Sequence, residues 1–177
     1  MITPIRLVPL HPVSDEIVQT LVAPIASVFR TDVSIEQPLH GVINAVYDLS
    51  RGQYNSTDLI RILIQEYGNM PTKVLGIVSV DLFVPILTYV FGEAQLDGTT
   101  GVMSTYRLDD AVYGLQHDPV LMFERCLKES VHELGHTYGL LHCKNFDCAM
   151  HASTTVDDID LKGAGLCDDC LQQIGAA

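Results

Sequence analysis

A chain of 177 residues is long enough for one domain with a full hydrophobic core and too short to make two ordinary domains. Ten Lys plus Arg against 22 Asp plus Glu give a formal charge of −12, which argues against phosphate-backbone binding, so nucleic acid is not an expected partner. The longest charge-free apolar run, Leu82 to Gly92, falls far short of the roughly 20 residues that span a bilayer, and no membrane segment is expected.

The opening stretch "MITPIRLVPLHPVSDE" places an arginine and prolines inside its only apolar run, so it lacks the uninterrupted apolar core of a secretory signal, and the expected location is the cytoplasm. "IRLVPL" (5–10) reads as a buried strand, and "SDEIVQTLVAPIASVFR" (14–30) as a helix with Ser14 as N-cap and acids in its first turn. A strand near Val33 to Gln37, a helix from about Thr57 to Tyr67 capped by Ser56, and the strand "KVLGIVSV" (73–80) follow. Strands alternating with helices imply an α/β fold whose sheet is largely parallel, with right-handed crossovers. "LTYVFGEAQL" (87–96) and "GVMSTYRL" (101–108) are joined by "DGTT", whose Asp-Gly pair signals a hairpin, so one of these strands runs antiparallel to the rest, at an edge. Asp118 and Pro119 form a cap-plus-N1 pair that opens a helix running to Tyr138, about 30 Å at 1.5 Å per residue. Beyond Gly139, cysteine, aspartate and glycine dominate; one short helix is expected over 168–174, and "DDID" (157–160) reads as a solvated turn.

The chemistry concentrates in "HELGHTYGLLHC" (132–143). His132 and His136, four apart on a helix, share one face with about 5 to 6 Å between Cβ atoms, a spacing suited to a single zinc. Glu133 lies beside them, placed to take a proton from a metal-bound water. A continuing helix would carry His142 about 15 Å along the axis from His132, out of reach of the same ion. Gly139 supplies the stop: without a Cβ it adopts the left-handed conformation that ends a helix and turns the chain back. Three neutral histidines would leave an open fourth position, the arrangement of a catalytic site, and the reaction class that follows is hydrolysis of an amide bond. Against this stands the short HExxH pattern as a chance feature of a helix; the added glycine and third histidine weigh against chance.

Five cysteines are present, four of them (Cys143, Cys148, Cys167, Cys170) near the C-terminal end. Their paired spacing matches a four-cysteine structural zinc, which would hold together a tail too small for its own core. Two disulfides, or a redox pair at Cys167 and Cys170, are the alternatives.

The extended histidine motif with a downstream methionine resembles the metzincin zinc peptidases, and the string from His132 through Cys143, Cys148, Met150, Cys167 and Cys170 resembles the archaemetzincins specifically. One departure is the spacing between Met150 and Cys167, a residue shorter than the usual count. The resemblance implies a metzincin-like zincin fold: a twisted five-stranded mixed sheet with an antiparallel edge strand over the cleft, a long active-site helix, and a small cysteine-bound C-terminal part. It implies a catalytic zinc on His132, His136 and His142, Glu133 as general base, a structural zinc on the four cysteines, and Met150 as the Met-turn floor beneath the site. Two zinc ions per chain are thus expected.

The chain is read as one metallopeptidase domain, with 1–142 as the upper part and 143–177 as the lower, favoured as a monomer and acting on peptides or proteins. An unpaired sheet edge above the zinc would align an extended peptide by backbone hydrogen bonds. The alternatives are an aminopeptidase restricted to short peptides, although no carboxylate cluster reserved for a substrate amine is visible, and a zinc-stabilised binding module without turnover. Among lesser features, His151 is an exposed loop histidine that could reach the cleft, Tyr138 a packing residue and Cys126 a core residue. His11, His40 and His117 have no partners at ligand spacing.

Overall fold

The computed structural model describes residues 2–10 and 12–176, so His11 lies outside the described residues. In chain order the elements are β1 (Ile5–Pro9), α1 (Asp15–Phe29), β2 (Val33–Ile35), β3 (Tyr47–Asp48), β4 (Gln53–Asn55), α2 (Ser56–Tyr67), β5 (Lys73–Val78), β6 (Leu82–Phe83), β7 (Gly92–Ala94), β8 (Thr100–Ser104), α3 (Pro119–Thr137), α4 (Val156–Leu161) and α5 (Asp168–Gln173). The main sheet has the order β2-β1-β5-β8-β7, parallel throughout except for β7, which pairs antiparallel with β8 at the edge. This is the five-stranded mixed sheet with an antiparallel edge strand that the sequence and its resemblance predict.

Both faces of the sheet are covered, which is why β5 is buried without alternation from Val74 to Val78. Leu75 and Ile77 of β5 face α1 and α3, packing with Leu21, Ile25, Phe29, Val131 and Leu134. Val74 and Val78 face α2, packing with Leu59 and Leu63. A third, smaller cluster gathers Leu140, Met150, Cys148 and Cys170 under the end of α3. Among the described residues no helix is long and apolar enough to cross a membrane.

Several boundaries differ from the predicted ones. The strand expected over 87–96 shrinks to Gly92–Ala94, because residues 84–90 fold instead onto a second sheet of order β3-β4-β6, where Val90 N–H donates to Leu82 O at 3.0 Å. Strands of two or three residues leave no periodic pattern, so this second sheet was not visible in the sequence. The strand expected over 101–108 ends at Ser104, whose hydroxyl accepts from Tyr106 N–H at 3.1 Å and starts a 3₁₀ turn over Tyr106–Leu108.

Ser56 is not the cap of α2. Asn55 takes that role by accepting from Asp58 N–H at 3.2 Å, while the Ser56 hydroxyl serves Phe83 O and Glu93. Ser14 occupies the cap position of α1 but makes no side-chain cap bond. The run "DDID" is not a solvated turn: it lies in α4, started by a reciprocal Thr155–Asp158 capping box, with Ile159 in the core and Asp160 gripping Arg125 of α3.

Candidate metal centres and active-site cleft

The side chain of Asp118 opens α3 by accepting from Val120 and Leu121 N–H at 2.9 and 3.1 Å. Four turns later His132 and His136 stand on one face with Nε2 atoms 3.2 Å apart. The helix then ends as expected, with Gly139 at φ +88° and its N–H bonded to His136 O at 2.9 Å. The returning chain brings the His142 ring to 5.2 Å from that of His132 and 5.1 Å from that of His136. One nitrogen from each of the three lies within 4.8 Å of the others.

The donor set fits zinc on its own geometry. Nitrogens about 2.0–2.1 Å from a tetrahedral ion sit roughly 3.3 Å apart, close to the observed His132–His136 separation of 3.2 Å. His132 Nδ1–H donates to Ala149 O at 2.8 Å and His136 Nδ1–H to Leu140 O at 2.7 Å, which leaves both Nε2 lone pairs directed at the common point. Burial holds the His132 imidazole well below its usual pKa, helped by the positive Lys162, and burial also lowers His136, so both rings are neutral and able to ligate.

Glu133 lies between the two histidines in sequence and is 5% exposed. Burial pushes its carboxyl well above the usual range; the neighbouring Glu129 raises it further and Lys162 opposes the shift. Edge strand β7 presses directly on this carboxylate. A Cβ added to Gly92 would fall 2.6 Å from both Cγ and Oε1 of Glu133, so only glycine permits the approach.

The four cysteines form the second centre. Cys143 Sγ and Cys167 Sγ are 3.8 Å apart, as are Cys148 Sγ and Cys170 Sγ, and all four sulfurs lie within 4.8 Å of one another. Thiolates about 2.3 Å from a tetrahedral zinc are separated by about 3.8 Å, whereas a disulfide would bring two sulfurs to about 2.05 Å; all four thiols are unpaired. Backbone N–H groups of Asn145 and Cys167 point at Cys143 Sγ and Cys148 Sγ at 3.4 Å, the donors expected around thiolates. Met150 is fully buried between the centres, its Sδ seated so close to Gly135 that a Cβ there would lie 2.2 Å away.

A cleft of about 490 Å³ runs across the histidines. Residues 87–94 form its upper wall, and its lower wall includes Glu129, His132, Glu133, His142 and Thr154. In β7 the groups of Phe91 and Gln95 bond to β8 (Ser104 N–H to Phe91 O, 2.8 Å; Gln95 N–H to Thr100 O, 3.0 Å), so the alternation of an antiparallel ladder points the N–H and C=O of Gly92 and Ala94 away from the sheet. The hairpin alone left open which strand is the edge; it is β7.

Of the remaining sequence candidates, His151 is not part of the cleft wall. Its Nδ1–H donates to Cys143 O at 3.0 Å and its ring lies 4.6 Å from Phe146. Tyr138 stacks on Phe29 at 5.2 Å and Cys126 is fully buried, both as expected. His117 pairs with Asp109 at 2.9 Å, and neither it nor His40 joins a metal-ligating group. Sequence reasoning missed Gly92, Gly135, Glu129 and Lys162. A glycine inside a strand pattern signals close backbone approach, and Gly92 could have been found that way; Lys162 carries no such signal, being thirty residues from the histidine it faces.

A family profile described as Peptidase family M54 matches residues 29–176. A protein of Methanocaldococcus jannaschii named Archaemetzincin is 36% identical over 177 residues, an alignment covering 98% of this chain and 94% of that one. Another of that name, from Archaeoglobus fulgidus, is 37% identical over 163 residues, covering 92% and 93%. Among solved structures, archaemetzincin from Archaeoglobus fulgidus complexed with malonate matches with a TM-score of 0.83 at 35% identity, covering 97% of this chain and 99% of that one. A zinc-dependent peptidase from Methanocorpusculum labreanum matches with a TM-score of 0.83 at 25% identity, covering 96% and 99%.

Proposed function

Since the chain belongs to peptidase family M54, and so to the zinc metallopeptidases that include the archaemetzincins, we propose that His132, His136 and His142 hold a catalytic zinc with Glu133 as general base for peptide-bond hydrolysis. Cys143, Cys148, Cys167 and Cys170 would hold a second, structural zinc, making two per chain. One juxtaposition carries this reading: three imidazole nitrogens converge within 4.8 Å beside a buried carboxylate, in a cleft overhung by a free strand edge.

The zinc, when bound, supplies a Lewis acid that polarises a carbonyl and makes water acidic near neutral pH. Gly92 and Ala94 offer outward N–H and C=O groups to a substrate backbone, and an antiparallel partner gives the stronger ladder. Glu133 then takes the proton of the attacking water on its carboxylate and passes it to the departing amine. Burial under Gly92 keeps bulk water from that carboxylate and fixes its aim. His132 and His136 are held in register by Ala149 O and Leu140 O, and Met150 fills the space beneath them.

The upper part, 1–142, supplies the sheet edge and the helix, and the lower part, 143–177, closes the cleft from below as part of one domain. The test is mass-spectrometric mapping of a proteome-derived peptide library after incubation with zinc-loaded protein, beside a Glu133→Ala control. Cleavage present only in the parent protein supports the reading. No cleavage by either, with two zincs per chain confirmed, overturns the catalytic part of it.

A further inference from the structure

The cleft is crossed by a side chain. The Tyr89 hydroxyl donates to Thr154 O at 3.0 Å, joining the upper wall to the lower. Both partners are braced. Behind Tyr89, the Arg107 guanidinium lies 4.0 Å from the ring centroid and binds both carboxylate oxygens of Asp81 at 2.5 and 2.6 Å, while Phe91 packs edge-on at 5.5 Å. Arg51 Nη2 donates to the carbonyls of Leu87 and Thr88 at 2.7 and 3.1 Å, and Gln53 Nε2 holds Thr88 O at 3.0 Å. On the opposite side, Thr154 N–H and Oγ1 donate to Asp158 Oδ2 at 2.8 and 2.9 Å at the start of α4, and α4 is clamped to α3 through Asp160 and Arg125. An aromatic ring between two braced walls is a stop rather than a loose flap.

Its side of the cleft follows from the strand. Gly92 marks the position of Glu133, and further along, Asp97 N–H donates to His136 O at 2.9 Å, so β7 runs along α3 with Tyr89 on its upstream side. Between Tyr89 and Gly92 the chain is not part of that strand: Val90 bridges to Leu82 of the second sheet, and β7 begins only at Gly92. A peptide paired antiparallel to β7 points its C-terminus toward the Tyr89 side.

Building on the peptidase reading, we propose that Tyr89 is a specificity-determining residue that spans the cleft on the side where a substrate's C-terminus lies, so that peptides with a short C-terminal side are cleaved in preference to long ones. The enzyme is then a trimmer of peptide ends that releases short C-terminal fragments, and long chains are cut in their interior only if Tyr89 leaves Thr154.

The test uses one peptide series with a common scissile region and a C-terminal side lengthened stepwise, incubated with the zinc-loaded parent protein, Tyr89→Phe and Tyr89→Ala. With the parent, kcat/KM should fall at least about tenfold as the C-terminal side is lengthened until it must pass Tyr89. Tyr89→Ala should abolish the length penalty, and Tyr89→Phe, which keeps the ring and loses only the hydroxyl, should retain most of it. Fluorescence anisotropy of the same peptides on zinc-loaded Glu133→Ala, with and without Tyr89→Ala, reads the same penalty as binding, independently of turnover. If the parent cleaves nothing, the peptidase reading fails, and the binding series alone decides the barrier. Equal cleavage or binding of short and long peptides by the parent, or release of short N-terminal fragments, overturns the proposal.

Discussion

Lys162 Nζ sits 2.9 Å from Glu129 Oε1, and the two side chains are only 1% and 4% exposed. Glu129 lies one helical turn before Glu133 on α3, whereas Lys162 comes from the segment just after α4, so the lower part of the molecule places a buried positive charge beside the Glu129–Glu133 pair. The same ammonium reaches toward His151 O at 3.4 Å, which ties the loop after Met150 to this pair.

Removing one member of such a pair leaves the other charged and dry. Lys162→Met should therefore destabilise the protein by about 3–5 kcal/mol, read from urea unfolding of the zinc-loaded chain. The double variant Lys162→Met with Glu129→Leu should recover most of that loss. A single variant as stable as the parent would show that water reaches Glu129.

The two candidate metal centres are joined by a single peptide bond, between His142 and Cys143. If the four cysteines hold the second zinc proposed above, Cys170→Ser should eliminate it and also loosen the loop that delivers His142. Metal analysis is expected to fall from two zincs per chain to one or fewer, with the melting temperature down by more than about 10 °C. Unchanged affinity at the histidine site would mean that the loop holds its shape without the cysteine centre.

Gly92→Ala tests the close approach of the edge strand. The new methyl would meet Glu133 on one side and Val102 O at 2.7 Å on the other, and the latter is backbone of the paired strand that cannot retreat. The expected cost is about 1–3 kcal/mol of stability, with roughly a hundredfold loss in kcat/KM from displacement of Glu133, the base proposed above. An active Gly92→Ala enzyme would place the substrate elsewhere than along this strand.

Asp158 gives a pH test at the far wall of the cleft. Backbone N–H and hydroxyl donation from Thr154, then from Thr155, holds its carboxyl down at about 2. Because the folded value is below the unfolded one, the stabilisation is complete above the model-peptide value of 3.8 and is lost as pH falls toward 2. The melting-temperature difference between the parent and Asp158→Asn should be constant at neutral pH and shrink below about pH 4. A constant difference down to pH 2 would remove the capping box as its source.

The catalytic string was legible because its parts are local. His132, Glu133 and His136 are spaced by the helix itself, Gly139 must stop that helix for His142 to return, and four clustered cysteines match a tetrahedral thiolate set in their spacing alone. The alternation of β-branched runs and helical periods likewise announced a largely parallel sheet, since both patterns are set by the geometry of each element.

What the tertiary structure decided is everything that depends on residues distant in the chain. β7 rather than β8 is the free edge because β8 pairs on both sides. Gly92 and Gly135 earn their place only when Glu133 and Met150 are packed against them. "DDID" reads as a polar turn until Ile159 finds the core and Arg125 waits, buried, for Asp160. Tyr89 and Thr154, 65 residues apart, meet across the cleft only through the fold. Local spacing determines which groups can bind metal and do chemistry; long-range packing determines which charges are dry, which edge is free and which side chains meet across the cleft.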